Sequence, residues 1–186
     1  LIAADAATDH WADVVHSCRA AFADPNGIGF WSPEVRISPY TPDVVILSNA
    51  GNKQIDCINL DTVVCAMSKN VYQHVRTYPF ENNNFGWGID YAASAAAMLN
   101  SLRIVMDCSI VVSHPPSRGY NDDNAQQQLD QMLMEIPSAD RVIIKLIEAY
   151  IFQQRTAIRI ASRPVGVRQA LKVLGRRVAR PITLMR

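Results

Sequence analysis

The chain has 186 residues, 49% of them apolar and 19% charged, so a buried core of ordinary domain size is expected. Its formal net charge of +1 excludes a global attraction to polyanions, and four scattered cysteines exclude a disulfide scaffold and read as reduced, mostly buried thiols. No apolar run reaches the ~18–20 residues of a membrane span and no secretory signal is read, so a cytoplasmic location is expected.

Residues 1–4 of "LIAADA" read as a short buried strand ending at Asp5. The chain opens abruptly inside this apolar run, which is the pattern expected of the C-terminal part of a longer domain. Thr8 or Asp9 is placed to cap a helix through about 22, with Trp11, Val14, Val15, Cys18 and Phe22 on one face. "DPNG" at 24–27 is a turn. "IGFWSPEV" is a strand interrupted by Pro33, and "SPYTPD" a loop. "VVILS" at 44–48 and "IDCINL" at 55–60 are strands around a turn at 49–52. The segment 62–75 begins apolar and becomes helical near Lys69. A helix follows Asp90 to about Leu102, and its Ala/Ser-rich face implies close packing. "RIVMDCSIVVSH" at 103–114 reads as one or two buried strands. A loop leads to a Gln-rich helix at 122–136, whose Leu129, Met132, Leu133 and Ile136 share a face. A long helix is expected at 139–160 and a basic one at 165–178. Strands mixed with helices give an α/β class with a helical tail, divided as 1–137 and 138–186.

The charge is unevenly placed. Residues 1–140 carry 7 Lys/Arg and 16 Asp/Glu, whereas 141–186 carry 11 Lys/Arg and one acid, Glu148. Arg155, Arg159, Arg163, Arg168, Lys172, Arg176, Arg177 and Arg180 are interleaved with Ile, Leu and Val. Such a surface suits an anionic membrane, or is simply a solvated helix face. No nucleic-acid module accompanies it, so nucleic acid is not expected as a partner.

The stretch that carries chemistry is "NNNFGWGIDYAASAAAML". Gly86 and Gly88 bracket Trp87 and leave room for backbone conformations or ligands that other residues exclude. An indole there can offer its face to the C–H face of a sugar ring. Asp90 opens the following helix, where the dipole favours the ionised form that a general base needs. The competing reading is a capping aspartate beside a buried tryptophan.

These residues resemble the acceptor-side motif of family 2-like glycosyltransferases of the GT-A fold, in which a Trp-Gly loop precedes an acidic residue at a helix N-terminus. "IVMDCSIVVSHP" is similar to the strand that closes their site with a histidine. "LIAADA" falls where they carry an Asp-x-Asp metal strand. The resemblance covers roughly residues 1–120. It implies a mixed-sheet, Rossmann-like GT-A domain without its N-terminal nucleotide-binding half, since no GxGxxG or P-loop stands in for that half.

The resemblance further implies Asp90 as catalytic base, Trp87, Gly86, Gly88, Asp61 and Trp31 as substrate-binding residues, and Asp5 and His114 as ligands of Mn²⁺ or Mg²⁺. Ala3 stands where the first aspartate of Asp-x-Asp would be. Asp61 reads equally as a strand-terminal turn residue, and Trp31 as a core residue. His10, His16 and His74 read as surface or packing residues, and no Cys/His cluster supports a structural zinc. The expected activity is sugar transfer from a nucleotide-sugar donor to a glycan or other hydroxyl acceptor. A non-catalytic remnant that binds a glycan or a partner is the alternative.

Overall fold

In the computed structural model, which describes residues 1–3, 5–23, 27–38, 40, 42–48, 53–115 and 121–162, the N-terminal segment meets the sheet through two isolated bridges, with a turn at Asp5. Ile2 bridges Val64, and Ala7 bridges Ser113. The expected buried strand is corrected here: Leu1 is 61% and Ile2 59% exposed. This segment is held by its backbone, with Ala3 N–H donating to Val63 O and Ala7 N–H to Ser113 O.

Helix α1 spans Trp11–Phe22. Val14 and Ala21 are buried, Trp11, Cys18 and Phe22 pack beside them, and Val15 points to solvent. His10, which makes no side-chain cap, sits at the N-cap. Thr8 Oγ1 instead accepts from His10 N–H and donates to Val111 O, tying the helix entrance to the sheet.

Strand β1 (Ile28–Arg36) includes Pro33. It survives there because its antiparallel neighbour β4 (Ala66–Met67) pairs only with Phe30 and Trp31, so Pro33 lies beyond that ladder. Residues expected as one strand at 44–48 divide into a helical turn, α2 (Pro42–Val45), and β2 (Ile46–Ser48). Strand β3 (Gln54–Cys57) stops short of the expected 60. Beyond it the chain leaves the ladder and carries Asn59 and Leu60 into the interior, both fully buried.

Ser68 caps helix α3 (Lys69–Val75) by accepting from Val71 N–H. A 3₁₀ turn at Phe80–Asn82 leads to α4 (Ile89–Leu99). Strand β5 (Arg103–Ser113) is one strand. Asn121 Oδ1 caps α5 (Asp122–Glu135) through the N–H groups of Asp123 and Asn124. Helix α6 spans Ser138–Ala161. The expected turns at 24–27 and 49–52, the loop after Pro115 and the helix at 165–178 lie wholly or largely outside the described residues.

The five strands form one mixed sheet in the order β2-β3-β5-β1-β4, with β1 and β5 parallel and the other pairs antiparallel. Alternation divides the core. Trp31, Val105 and Val112 pack with Val14 of α1 on one face; Phe30, Ile104 and Met106 pack with the alanines of α4 on the other. Asp107 is buried where the β1–β5 register shifts, accepting from Ser17 Oγ of α1 and from Ser109 N–H and Oγ.

A division at 137 is corrected by the packing. Ile144, Ile147 and Ile151 of α6 belong to the same core as Ala92, Ala93, Ala95 and Ala96 of α4. Asp140, in the first turn of α6, accepts from Tyr78 Oη and lies 2.6 Å from His74 Nε2. The alanines of α4 carry no bulk beyond Cβ, which lets α6 approach closely. Among the described residues no helix is long and apolar enough to cross a membrane.

Candidate functional site

The loop before α4 turns on two glycines with positive φ, Gly86 at 68° and Gly88 at 88°. Gly88 is the left-handed N-cap of α4, so Asp90 is the second residue inside the helix and not its cap. A Cβ on Gly88 would stand 2.5 Å from Leu129 Cδ1 and 3.0 Å from Met132 Cε, so this glycine makes room for α5. The Trp87 carbonyl accepts from Asn83 Nδ2 at 2.6 Å, and the Trp87 ring is half-buried against the main core.

Asp90 is 8% exposed. Its Oδ2 accepts from Tyr40 Oη at 2.8 Å and from Asn59 Nδ2 at 3.1 Å. Asn59 Oδ1 in turn accepts from Ser94 Oγ, one turn further along α4, at 2.7 Å. Burial pushes the Asp90 carboxyl above its ordinary range. The bonds from Tyr40, Asn59 and the Tyr91 N–H oppose that rise, and the charge of Asp61 adds to it. Burial and the neighbouring Asp90 likewise push the Tyr40 phenol up, which keeps it a hydrogen-bond donor. Tyr40 is held from behind by α6, with the Arg155 guanidinium 5.5 Å from its ring centroid.

Asp61 caps its own turn, accepting from Val63 N–H, and also accepts from Ser38 Oγ at 2.7 Å. It is thus a turn residue and also an electrostatic neighbour of Asp90. Asp5 and His114 meet, with Oδ1 and Nε2 3.2 Å apart. Ala7 bridges Ser113, which places the Asp5–His114 contact where β5 finishes. Among the described residues no group of three or more His, Cys, Asp or Glu side chains is arranged to hold a metal ion.

Trp31 is not at this site. It is 1% exposed and lies in the core on the α1 face, the alternative that its sequence context left open. The expectation that it lines a cleft is therefore corrected. The four cysteines are free thiols, and burial pushes Cys57 and Cys65 up to about 12. Tyr40, Asn59 and Ser94 went unread in the sequence. The available signal was polarity out of place: Asn59 inside an apolar strand pattern and Ser94 inside an alanine helix.

The fold and this cluster define an α/β domain with a mixed five-stranded sheet and a buried, hydrogen-bonded carboxylate at the start of a small-residue helix. Compared with known proteins, the chain matches no family profile, no curated protein and no solved structure.

Proposed function

We propose that the chain is the acceptor side of an inverting glycosyltransferase domain of GT-A type, with Asp90 as general base. The observation that carries the reading is the Tyr40 hydroxyl donating to Asp90 Oδ2 at 2.8 Å. A general base must accept a hydrogen bond from the hydroxyl it deprotonates, at this distance. Tyr40 offers an O–H in the place where a sugar hydroxyl would be received. The Asp90 carboxyl, already raised in proton affinity by burial, is poised to take that proton. The acceptor oxygen then attacks the anomeric carbon from the face opposite the leaving diphosphate, which gives inversion. Half-buried Trp87, three residues before Asp90, offers an apolar face, and Asp61 a hydrogen-bond acceptor for a second hydroxyl.

Asp5 and His114 would be the two protein donors for Mn²⁺ or Mg²⁺. The chemistry such an ion would supply is to offset charge on the departing diphosphate. Asp5 and His114 hold and orient that end of the donor, while Asp61 and Asp90 face the acceptor.

One observation favours the second reading, a non-catalytic glycan- or partner-binding remnant. Asp90 is nearly covered, and both Tyr40 and Asn59 spend their donors on it, as in a structural network. The two readings separate in a transfer assay of the gene's whole product, with UDP- and GDP-sugars and Mn²⁺, comparing wild type with Asp90→Asn. The catalytic reading expects turnover that falls by about 10²–10⁴ in the variant. Turnover that the substitution leaves near normal overturns the role of Asp90. Absence of turnover in both, with retained glycan binding, establishes the remnant.

A further inference from the structure

Ser94 stands among Ala92, Ala93, Ala95 and Ala96 of α4, and like them it is fully buried. A hydroxyl hidden in an apolar helix face costs free energy unless it finds a partner, and an alanine here would bury no polar atom at all. The Ser94 hydroxyl donates at 2.7 Å to Oδ1 of Asn59, itself fully buried beyond β3. The other end of the same amide, Nδ2, donates at 3.1 Å to Asp90 Oδ2. Ser94 lies one turn after Asp90, so the amide bridges two residues on one face of α4. Both donors in this chain point toward the carboxylate, and each bond polarises the next. With the amide turned over, Oδ1 would face Asp90 and two acceptors would oppose each other. The chain is therefore strongest when Asp90 carries a charge and no proton.

We infer that Asn59 and Ser94 are positioning residues for Asp90, Asn59 by direct donation and Ser94 through the Asn59 amide, and that the pair holds Asp90 Oδ2 as a charged acceptor beside the Tyr40 hydroxyl. The titratable groups around Asp90 are Tyr40 just before α2, Tyr91 beside it on α4, Asp61 beyond β3 and Cys65 just before β4. Arg155 and Glu148 of α6 act on Tyr91. Burial and the anionic Asp61 both oppose ionisation of Asp90, so it is the donors, Tyr40, Asn59 and the Tyr91 N–H, that favour the charged form. The inference rests on the reading of Asp90 as a base only for its consequence in transfer: a base that burial keeps protonated receives no proton.

The test is the pH titration of the Asp90 carboxyl in the full 186-residue chain, followed by NMR with carboxyl-labelled aspartate and assigned by the signal missing in Asp90→Asn. Ser94→Ala is expected to raise the midpoint by about 0.5–1 pH unit, about threefold to tenfold in proton affinity, because it strips the amide oxygen of its donor. Asn59→Leu, which fills the space without a donor, is expected to raise it further. In the Asn59→Leu background Ser94→Ala is expected to add nothing, since Ser94 acts through the amide. Should Asn59→Leu misfold by circular dichroism, Asn59→Ala takes its place, and the single Ser94→Ala shift is decisive by itself. A serine that merely packs would change the Tm and leave the midpoint where it was. An unmoved midpoint in Ser94→Ala, an equal Ser94→Ala shift without the amide, or an Asp90 that titrates in none of the forms overturns the inference. In the gene's whole product the acid limb of the pH–rate profile should move with the midpoint. A limb that stays while the midpoint moves leaves the relay standing and removes Asp90 as the base.

Discussion

The Tyr40 hydroxyl reaches 50 residues along the chain to donate to Asp90 Oδ2 at 2.8 Å, while Arg155 of α6 covers the ring from behind. With Asn59 Nδ2 also donating to Oδ2, two segments distant from α4 converge on one carboxylate oxygen. Tyr40→Phe keeps the ring and its contact with Arg155 and removes only the donor. A hydrogen bond to a charged group contributes about 1.5–3 kcal/mol, so the variant should lose stability of that order in urea unfolding at neutral pH. Because Tyr40 stands in for the acceptor in the proposed mechanism, its loss should leave transfer largely intact. Abolished transfer in a folded Tyr40→Phe protein would move Tyr40 itself into the chemistry.

Asp90→Asn should separate the chemical role from the structural one through pH. The folded-state proton affinity of Asp90 is raised, chiefly by burial. A carboxyl raised in this way contributes stability that is full below its unfolded value and lost as pH rises through its folded value. At neutral pH the wild type therefore carries a cost that asparagine does not. The expected result is a higher Tm for Asp90→Asn than for wild type at neutral pH, with the gap closing toward acid. A lower Tm for the variant across the whole range would mean that the donors around Asp90 outweigh its desolvation.

What could be read in the sequence was what depends on near neighbours. The α4 helix and the shared face of Leu129, Met132 and Leu133 follow from local pattern, and the run at 103–114, expected as one or two buried strands, is one strand, β5. The Asp5–His114 approach followed from a resemblance in motif order, and the two side chains do meet. What was not legible was set by distant contacts. Whether Trp31 or Phe30 faces the α4 side depends on the register of β1 against β5, and a step of one residue exchanges them. The network of Tyr40, Asn59, Asp90 and Ser94 draws on three separated segments, which no local pattern links. Thr8 looked like a cap because its neighbours were helical, but its hydroxyl is committed to β5.

Gly88→Ala tests whether the glycines around Trp87 serve a ligand or the fold. The backbone at Gly88 has φ of 88°, and the new methyl would stand 2.5 Å from Leu129 Cδ1. Left-handed strain costs about 1–3 kcal/mol and overpacking a similar amount, so a loss of about 2–6 kcal/mol is expected in chemical denaturation. A near-neutral substitution would mean that α5 can withdraw freely and that the loop is open.

Ile147→Ala tests the place of α6. Ile147 is 1% exposed and sits in the core that contains the α4 alanines. Truncating a buried isoleucine typically costs about 2–5 kcal/mol. A loss in that range, read in one cooperative transition, is expected if α6 belongs to the domain. A separate low-temperature transition would instead make residues from 138 onward an independent tail.

The Asp5–His114 pair should behave as a site and not as a strut. The side chains are 53% and 21% exposed, so water screens their attraction, and exposed pairs contribute about 0–1 kcal/mol. Asp5→Asn and His114→Ala should therefore leave unfolding within about 1 kcal/mol of wild type. Two protein donors are too few to hold Mn²⁺ firmly without phosphate oxygens. Manganese paramagnetic resonance on the gene's whole product should accordingly show weak uptake of Mn²⁺ alone and stronger uptake with a nucleoside diphosphate. Both substitutions should remove that enhancement, because each deletes one of the two donors. An enhancement that survives in Asp5→Asn and His114→Ala alike would place the ion elsewhere and leave the pair as a surface contact between the N-terminal segment and β5.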